Sequence, residues 1–204
     1  MELFENTFIP IHKKGKQLDL EHSVTKNAVD DAGELYRAAC RRLLYPFLWH
    51  DLAGIGTAEF NIYEKESNGS KPLEINDHLV INIPGADLIK TESHDWVIVE
   101  DIKQNVIKQA DASIGLKLRA CAAPGTPEDS TDHFFTEAAT STLIIKRIEN
   151  VVTASYHGRN EQPNIETGDI VTNIRNGVVA LGAIIGLSKM QWAALIKGLL
   201  SDQM

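Results

Sequence analysis

The stretch TSTLIIKRIENVVTASYHGRNEQP, residues 140–163, decides the fold of this 204-residue chain. Two runs rich in β-branched residues, Thr142–Ile148 and Val151–His157, are separated only by Glu149 and Asn150. Two-residue connections favour tight hairpin turns, and asparagine tolerates the positive φ angle that these turns require. The stretch therefore predicts a β-hairpin.

The position of the turn also predicts which residues of the hairpin lie opposite each other. Counting back from the turn gives one mainly apolar face and one mainly polar face. The predicted pairs are Arg147 with Val152, Ile145 with Ala154 and Leu143 with Tyr156 on the first face, and Lys146 with Thr153, Ile144 with Ser155 and Thr142 with His157 on the second. We expect the first face to line a core and the second to contact solvent.

Four earlier segments also have the length and composition of strands, with turn residues between them. They are Thr57–Lys65, His78–Ile83, Asp95–Ile102 and Ser113–Cys121. Together with the two strands of the hairpin, they predict an antiparallel sheet or small β-barrel of about six strands.

Helical periodicity precedes and follows these strands. Apolar or small residues recur at every third or fourth position from Val24 to Phe47, which predicts one long helix that Pro46 should end. Residues 169–185 and the capping-box sequence that begins at Ser188 predict two C-terminal helices. The last helix has an apolar stripe of Trp192, Leu195, Ile196, Leu199 and Leu200. The predicted fold class is α+β, with one long helix before the sheet and two helices after it.

The first residues of the chain differ from the rest. An apolar patch around Phe4 and Phe8 is followed by Pro10 and a cluster of lysines, which favours an arm or an edge strand over a helix. We therefore predict an N-terminal arm over residues 1–20 and a single α+β domain over residues 21–204.

Charge and cysteine content limit the classes of partner and the compartment. The formal net charge is −8 and the pI is about 5.3, so the net field repels nucleic acids and anionic lipid headgroups. We expect neither a nucleic-acid nor a membrane partner. Cys40 and Cys121 form no disulfide framework, and the N-terminus shows no secretory leader, which together indicate a cytoplasmic protein.

One polar cluster is a candidate binding site. His157, Arg159, Asn160 and Glu161 bring an imidazole, a guanidinium, an amide and a carboxylate within five residues. Arginine can bind a carboxylate or phosphate, and histidine can transfer a proton near neutral pH. His133, beside two phenylalanines, is a further candidate. The alternative interpretation is a polar connection, in which Arg159 is a free loop group whose replacement by alanine leaves stability nearly unchanged.

Recognisable catalytic motifs are missing from the sequence. It has no CxxC, HxH or HExxH spacing for a metal, no G-x-S-x-G nucleophile motif and neither of the glycine-rich nucleotide-binding motifs. We therefore expect no metal and no cofactor, assign no catalytic residue, and favour a non-enzymatic protein.

Two functions fit these observations. The first is a binding or assembly protein that docks to itself or to a protein partner through its β-rich domain and apolar N-terminal arm. The second is a small-molecule-binding protein similar in outline to the helix-grip fold, in which an antiparallel sheet wraps a C-terminal helix around a pocket, with or without weak hydrolase or cyclase activity at the His/Arg/Glu loop. A filled interior would weaken the second hypothesis, and a cavity beside Arg159 or His133 would favour it.

Overall fold

A computed structural model describes residues 2–54, 57–63, 71–82, 95–108, 110–126, 136–162 and 189–202. In chain order its elements are α1 (Glu2–Phe8), β1 (Lys16–Thr25), α2 (Val29–Leu44), a 3-10 turn (Pro46–Leu48), α3 (Trp49–Ala53), β2 (Glu59–Ile62), β3 (His78–Asn82), β4 (Asp95–Lys108), β5 (Asp111–Cys121), β6 (Thr140–Ile148), β7 (Val151–Glu161) and α4 (residues 189–199). The strands form one antiparallel sheet in the order β1-β7-β6-β5-β4-β3-β2. The predicted α+β class is confirmed.

The hairpin of β6 and β7 has the predicted register, with Leu143 opposite Tyr156 and Ile145 opposite Ala154. Its turn differs in one detail, because Glu149 has the positive φ angle, 51°. The side chain of Asn150 instead donates a hydrogen bond to the carbonyl oxygen of Lys26, at 2.8 Å. The turn therefore also holds the connection between β1 and α2.

Among the described residues the sheet has seven strands rather than the predicted six or so, because β1 precedes α2 and pairs with β7. The long helix is correspondingly shorter than predicted, since it begins at Val29. The physical reason is a period-two pattern in β1, where Leu18, Leu20 and Val24 pack against the core and the alternate residues Asp19, Glu21 and Ser23 face outward. Among the described residues β1 and β2 are the two edges of an open sheet, which corrects the alternative of a small barrel.

The two faces of the sheet have different neighbours. The inner face, which carries Leu116, Leu143 and Tyr156, packs with α2, α3 and α4 in one apolar core. The outer face, which carries Gly115 and Ile144, is covered in part by α1. The two faces therefore provide separate environments for side chains that alternate along a single strand.

Helix α4 presents the predicted apolar stripe to the core, and all of its members are buried: Trp192, Leu195, Ile196, Leu199 and Leu200. Helix α2 ends at Leu44, as Pro46 predicts. The other predicted C-terminal helix, over residues 169–185, lies outside the described residues, as does His133. No helix in the described part of the chain is long and apolar enough to cross a membrane.

The apolar N-terminal residues form a helix rather than an extended arm. Phe4 and Phe8 are four residues apart and therefore share one side of α1, where their rings stack with centroids 5.4 Å apart. Both pack on Ile144, and Phe8 is only 1% exposed. A Cβ atom at Gly115 would overlap the ring of Phe8. The apolar patch is therefore buried on the outer face of its own sheet.

We predict that Gly115→Ala destabilises the protein by about 1–3 kcal/mol, because the added methyl group displaces Phe8 and with it α1. Urea denaturation measures the free energy of unfolding. The same substitution in a Phe8→Ala background should cost much less, since the opposing ring is gone. Equal losses in the two backgrounds would contradict this packing.

Candidate functional site

The predicted site segment is divided between the two faces of the sheet. His157 and Arg159 project from the outer face, whereas Glu161 reaches the inner face. A β-bulge separates them at Asn160, which has a φ angle of 56° and lies where the pairing of β7 with β1 shifts its register. In a regular strand these three side chains would share one face. The bulge therefore turns one predicted site into two clusters.

Asn160 itself binds the chain's own backbone. Its Oδ1 accepts hydrogen bonds from the amides of Lys13, at 2.7 Å, and Lys14, at 3.3 Å, and its Nδ2 donates to the carbonyl of Ile11. Asparagine adopts positive φ angles more readily than most residues. Asn160 therefore fixes both the bulge and the connection from α1 to β1.

The outer array consists of Asp19, Ser155, His157 and Arg159. His157 Nδ1 lies 2.6 Å from Asp19 Oδ1, and His157 Nε2 lies 3.0 Å from Ser155 Oγ. Arg159 Nη2 donates to the same oxygen of Asp19 at 2.7 Å, while its Nη1 donates to the carbonyl of Gly158 at 2.8 Å. The sequence-predicted His157 and Arg159 are thus brought together through a carboxylate from β1.

The carboxylate of Asp19 is strongly held in its ionised form. Partial burial raises its pKa, but hydrogen bonds from Gln17, His157 and Arg159, together with the charge of Arg159, outweigh that effect and lower the pKa to about 2. An ionised carboxylate against Nδ1 favours the imidazole form with a proton on Nδ1. Nε2 is then available to accept the hydroxyl proton of Ser155.

The inner polar cluster consists of Ser141, Tyr156 and Glu161. The hydroxyl of Tyr156 donates to Glu161 Oε1 at 3.2 Å and shares a hydrogen bond of 3.0 Å with Ser141 Oγ. Glu161 is only 9% exposed, and Tyr156 is buried. Gly158 leaves space for the carboxylate, because a Cβ there would overlap Glu161 Oε1.

Burial changes the titration of this cluster. It raises the pKa of Glu161, and the hydrogen bond from Tyr156 and the charges of Lys16 and Arg159 offset this only in part. Burial also raises the pKa of Tyr156, and the charge of Glu161 adds to the effect. Within the described ranges no basic side chain forms an ion pair with Glu161. Buried carboxylates of this kind are concentrated at binding and catalytic sites.

Aromatic side chains continue inward from the cluster. The ring of Tyr156 stacks on Trp192 with centroids 4.5 Å apart and planes 14° apart. Trp192 in turn meets Phe60 at 5.6 Å, and Phe60 meets Trp49 at 5.0 Å. Glu161 therefore lies at the polar end of an aromatic wall.

Burial raises the pKa of both Cys40 and Cys121 to about 11, so neither is a reactive thiolate at neutral pH. Among the residues that the structure describes, no group of three or more histidine, cysteine or acidic side chains could hold a metal ion.

Sequence reasoning missed Asp19, Ser141, Ser155 and Tyr156 as site residues. Ser155 had a usable signal, because it precedes His157 by two residues and therefore shares its face. Asp19 had no such signal in the sequence, because its position opposite His157 follows only once β1 is recognised as a strand. The site thus depends on strand pairing more than on sequence proximity.

Comparisons with known proteins give no family. No family model and no curated protein matches the chain. Similar solved structures include a hypothetical protein from Helicobacter pylori that is 9% identical. The match covers 89% of this chain and 86% of that protein, with a TM-score of 0.47. A protein from Mycobacterium smegmatis is 12% identical and covers 92% of both chains, with a TM-score of 0.39. Truncated norcoclaurine synthase from Thalictrum flavum is 12% identical. That match covers 95% of this chain and 100% of the synthase chain, with a TM-score of 0.38. Each TM-score is below 0.5, so the chemistry of the site rests on this chain alone.

We predict that Glu161→Gln raises the melting temperature at pH 8. The pKa of Glu161 is higher in the folded than in the unfolded state. Its contribution to the free energy of unfolding is therefore most favourable below the unfolded-state pKa, about 4.3, and is lost as pH rises through the folded-state pKa. The difference in melting temperature between the variant and the wild type should therefore shrink towards pH 4. Calorimetry at both pH values tests this, with Glu21→Gln, an exposed residue of β1, as the control. A variant less stable than wild type at pH 8 would refute the burial of this carboxylate.

We predict that Arg159→Ala lowers the free energy of unfolding by about 1–3 kcal/mol, because it removes hydrogen bonds from a charged group. The expectation of a free loop group is wrong, since Arg159 is only 8% exposed and donates to Asp19 and to the carbonyl of Gly158. Arg159→Lys should lie between the wild type and the alanine variant in urea denaturation. An unchanged midpoint for the alanine variant would show that these contacts do not form.

Proposed function

We propose that this protein binds a small organic amine at the inner polar cluster, with Glu161 as the anchor. The observation that supports this most strongly is the buried carboxylate of Glu161, whose hydrogen-bond partner in the described part of the chain is the neutral hydroxyl of Tyr156. A buried carboxylate is destabilising unless a cation or several donors compensate it. A bound ammonium group would supply both a charge and donors.

The neighbouring rings indicate the remainder of the ligand. Tyr156 and Trp192 provide aromatic surface beside the carboxylate, and aromatic rings bind both cations and other rings favourably. We therefore propose an amine that carries an aromatic or aliphatic ring. Ser141, which shares a hydrogen bond with Tyr156, can reorient its hydroxyl towards a polar group of the ligand.

Packing of the core limits where such a ligand can lie. Leu116, Leu143 and Ile145 are fully buried and belong to the same cluster as Leu195 and Leu199. This level of the interior is filled, which weakens the ligand hypothesis there. The proposed ligand lies instead at the end of the sheet beside Glu161. The antiparallel sheet with α4 on its inner face fits the helix-grip outline that the sequence suggested.

Docking to a second copy or to another protein stays a prediction. It relied on the β-rich domain and on an apolar N-terminal arm, whose Phe4 and Phe8 are buried on the outer face. Docking through these residues would therefore require α1 to leave the sheet.

We predict that arylalkylamines such as phenethylamine bind the protein, whereas the matched alcohol and carboxylate bind more weakly or not at all. Isothermal titration calorimetry with 2-phenylethanol and 3-phenylpropionate as controls measures this preference. Glu161→Gln should weaken amine binding at least about tenfold, because a hydrogen bond to a charged group contributes about 1.5–3 kcal/mol.

The matched protein control is Glu21→Gln, which should leave the affinity unchanged because Glu21 is exposed on β1. Equal affinity for the amine and the carboxylate, or an unchanged affinity in a folded Glu161→Gln variant, would refute the proposed anchor.

A further inference from the structure

A second group of side chains that can carry out a reaction lies on the outer face, separate from the inner polar cluster. Ser155, His157 and Asp19 form a continuous chain of hydrogen bonds in which Ser155 Oγ lies 3.0 Å from Nε2 and Asp19 Oδ1 lies 2.6 Å from Nδ1. Hydroxyl, imidazole and carboxylate in this order and at these distances satisfy the geometric criteria for an activated serine nucleophile.

We propose that Ser155 is a nucleophile towards carboxylic esters with small acyl groups, with His157 as its general base and Asp19 as a positioning residue. Strand pairing imposes the geometry. Ser155 and His157 are two residues apart on β7 and share its outer face, while Asp19 lies directly opposite His157 on β1.

The position of Asp19 is itself supported from two sides. Gln17 Nε2 donates to Oδ2 at 2.9 Å, and Arg159 Nη2 donates to Oδ1 at 2.7 Å. These contacts fix the carboxylate against His157 Nδ1. The imidazole is therefore held with Nε2 directed towards Ser155, as a general base requires.

Thr142 provides an independent observation. It lies opposite His157 on β6, is fully buried, and its hydroxyl has no hydrogen-bond partner among the described residues. A buried hydroxyl without a partner is costly, and donors held near a nucleophile stabilise the oxygen on which negative charge develops. Thr142 is the candidate for this role.

Access to Ser155 restricts the substrate. Ser155 is 7% exposed, and its neighbour on β6 is Ile144, on which α1 packs. An ion pair of 2.6 Å between Glu5 and Lys146 holds α1 beside the array. Substrates must therefore approach from the β1 side, and small acyl groups fit this approach best.

The reaction follows from these positions. Ser155 Oγ attacks the carbonyl carbon of the ester while its proton passes to His157 Nε2. The bond between the carbonyl carbon and the alcohol oxygen then breaks, and the leaving alcohol takes the proton from His157. Water, deprotonated by the same imidazole, hydrolyses the acyl-serine to release the carboxylic acid and restore Ser155.

The test uses the full chain with methanesulfonyl fluoride, a small reagent that forms an oxygen–sulfur bond with an activated serine and releases fluoride. Peptide mass spectrometry should locate the sulfonyl group on Ser155. Ser23, which shares the outer face but hydrogen-bonds to Thr153 Oγ1 at 2.8 Å, is the internal control and should stay unmodified. Absence of modification at Ser155, or equal modification of the two serines, overturns the proposal.

Variants separate activation from folding. His157→Gln should slow sulfonylation of Ser155 at least about 100-fold, the usual contribution of a general base. Ser155→Ala, which retains the pairing of His157 with Asp19, should abolish hydrolysis of p-nitrophenyl acetate above background. Wild-type hydrolysis by the folded Ser155→Ala variant, or an unchanged sulfonylation rate in the His157 variant, overturns the proposal.

The positioning role of Asp19 has a spectroscopic readout. Nitrogen-15 NMR of His157 should show the form protonated at Nδ1 in the wild type and a shift towards the Nε2 form in Asp19→Asn, together with slower sulfonylation. A structural role alone would lower the melting temperature without changing the tautomer, and that result would contradict the role assigned to Asp19.

Discussion

The pairing of β7 with β1 on one side and β6 on the other is the constraint on which the rest of the structure depends. Regular alternation along β7 directs Tyr156 inward and His157 outward, and the pairing with β1 brings Asp19 to His157. The bulge at Asn160 then turns Glu161 to the inner face. One strand therefore supplies polar groups to two separate environments.

Both environments contain polar side chains at buried positions, where apolar side chains would stabilise the fold more. Glu161 is buried beside aromatic rings, and Thr142 is buried on the other face with its hydroxyl unpaired within the described residues. Such features lower the stability of a folded protein and occur mainly at sites where the polar groups serve binding or catalysis. The inner cluster fits binding of a cation, and the outer array fits transfer of a proton. The sheet separates the two clusters, although the charge of Arg159 acts on the carboxylates of both, Asp19 and Glu161.

Much of the fold was predictable because it follows from local patterns. The hairpin register follows from a two-residue turn, and the end of α2 follows from Pro46. The strand β1 was missed because its last residues also fit the helical spacing that begins at Val24, although its alternation was visible. His157 and Glu161 were found as candidates, but their division between two faces depends on a bulge at Asn160, which shows only in the φ angle of that residue and in the pairing of β7 with β1. Their partners come from pairing between distant segments, which periodicity does not specify.

The most direct test of this account is the pKa of Glu161, measured by carbon-13 NMR of its carboxyl group in the wild-type protein. We expect a value above the ordinary 4.3 or so of an exposed glutamate, because the carboxyl is buried against Tyr156. The value should fall when an arylalkylamine binds, since a nearby cation favours the ionised form. An ordinary value that the amine does not change would place this side chain in solvent and contradict both the turn inward at Asn160 and the proposed anchor.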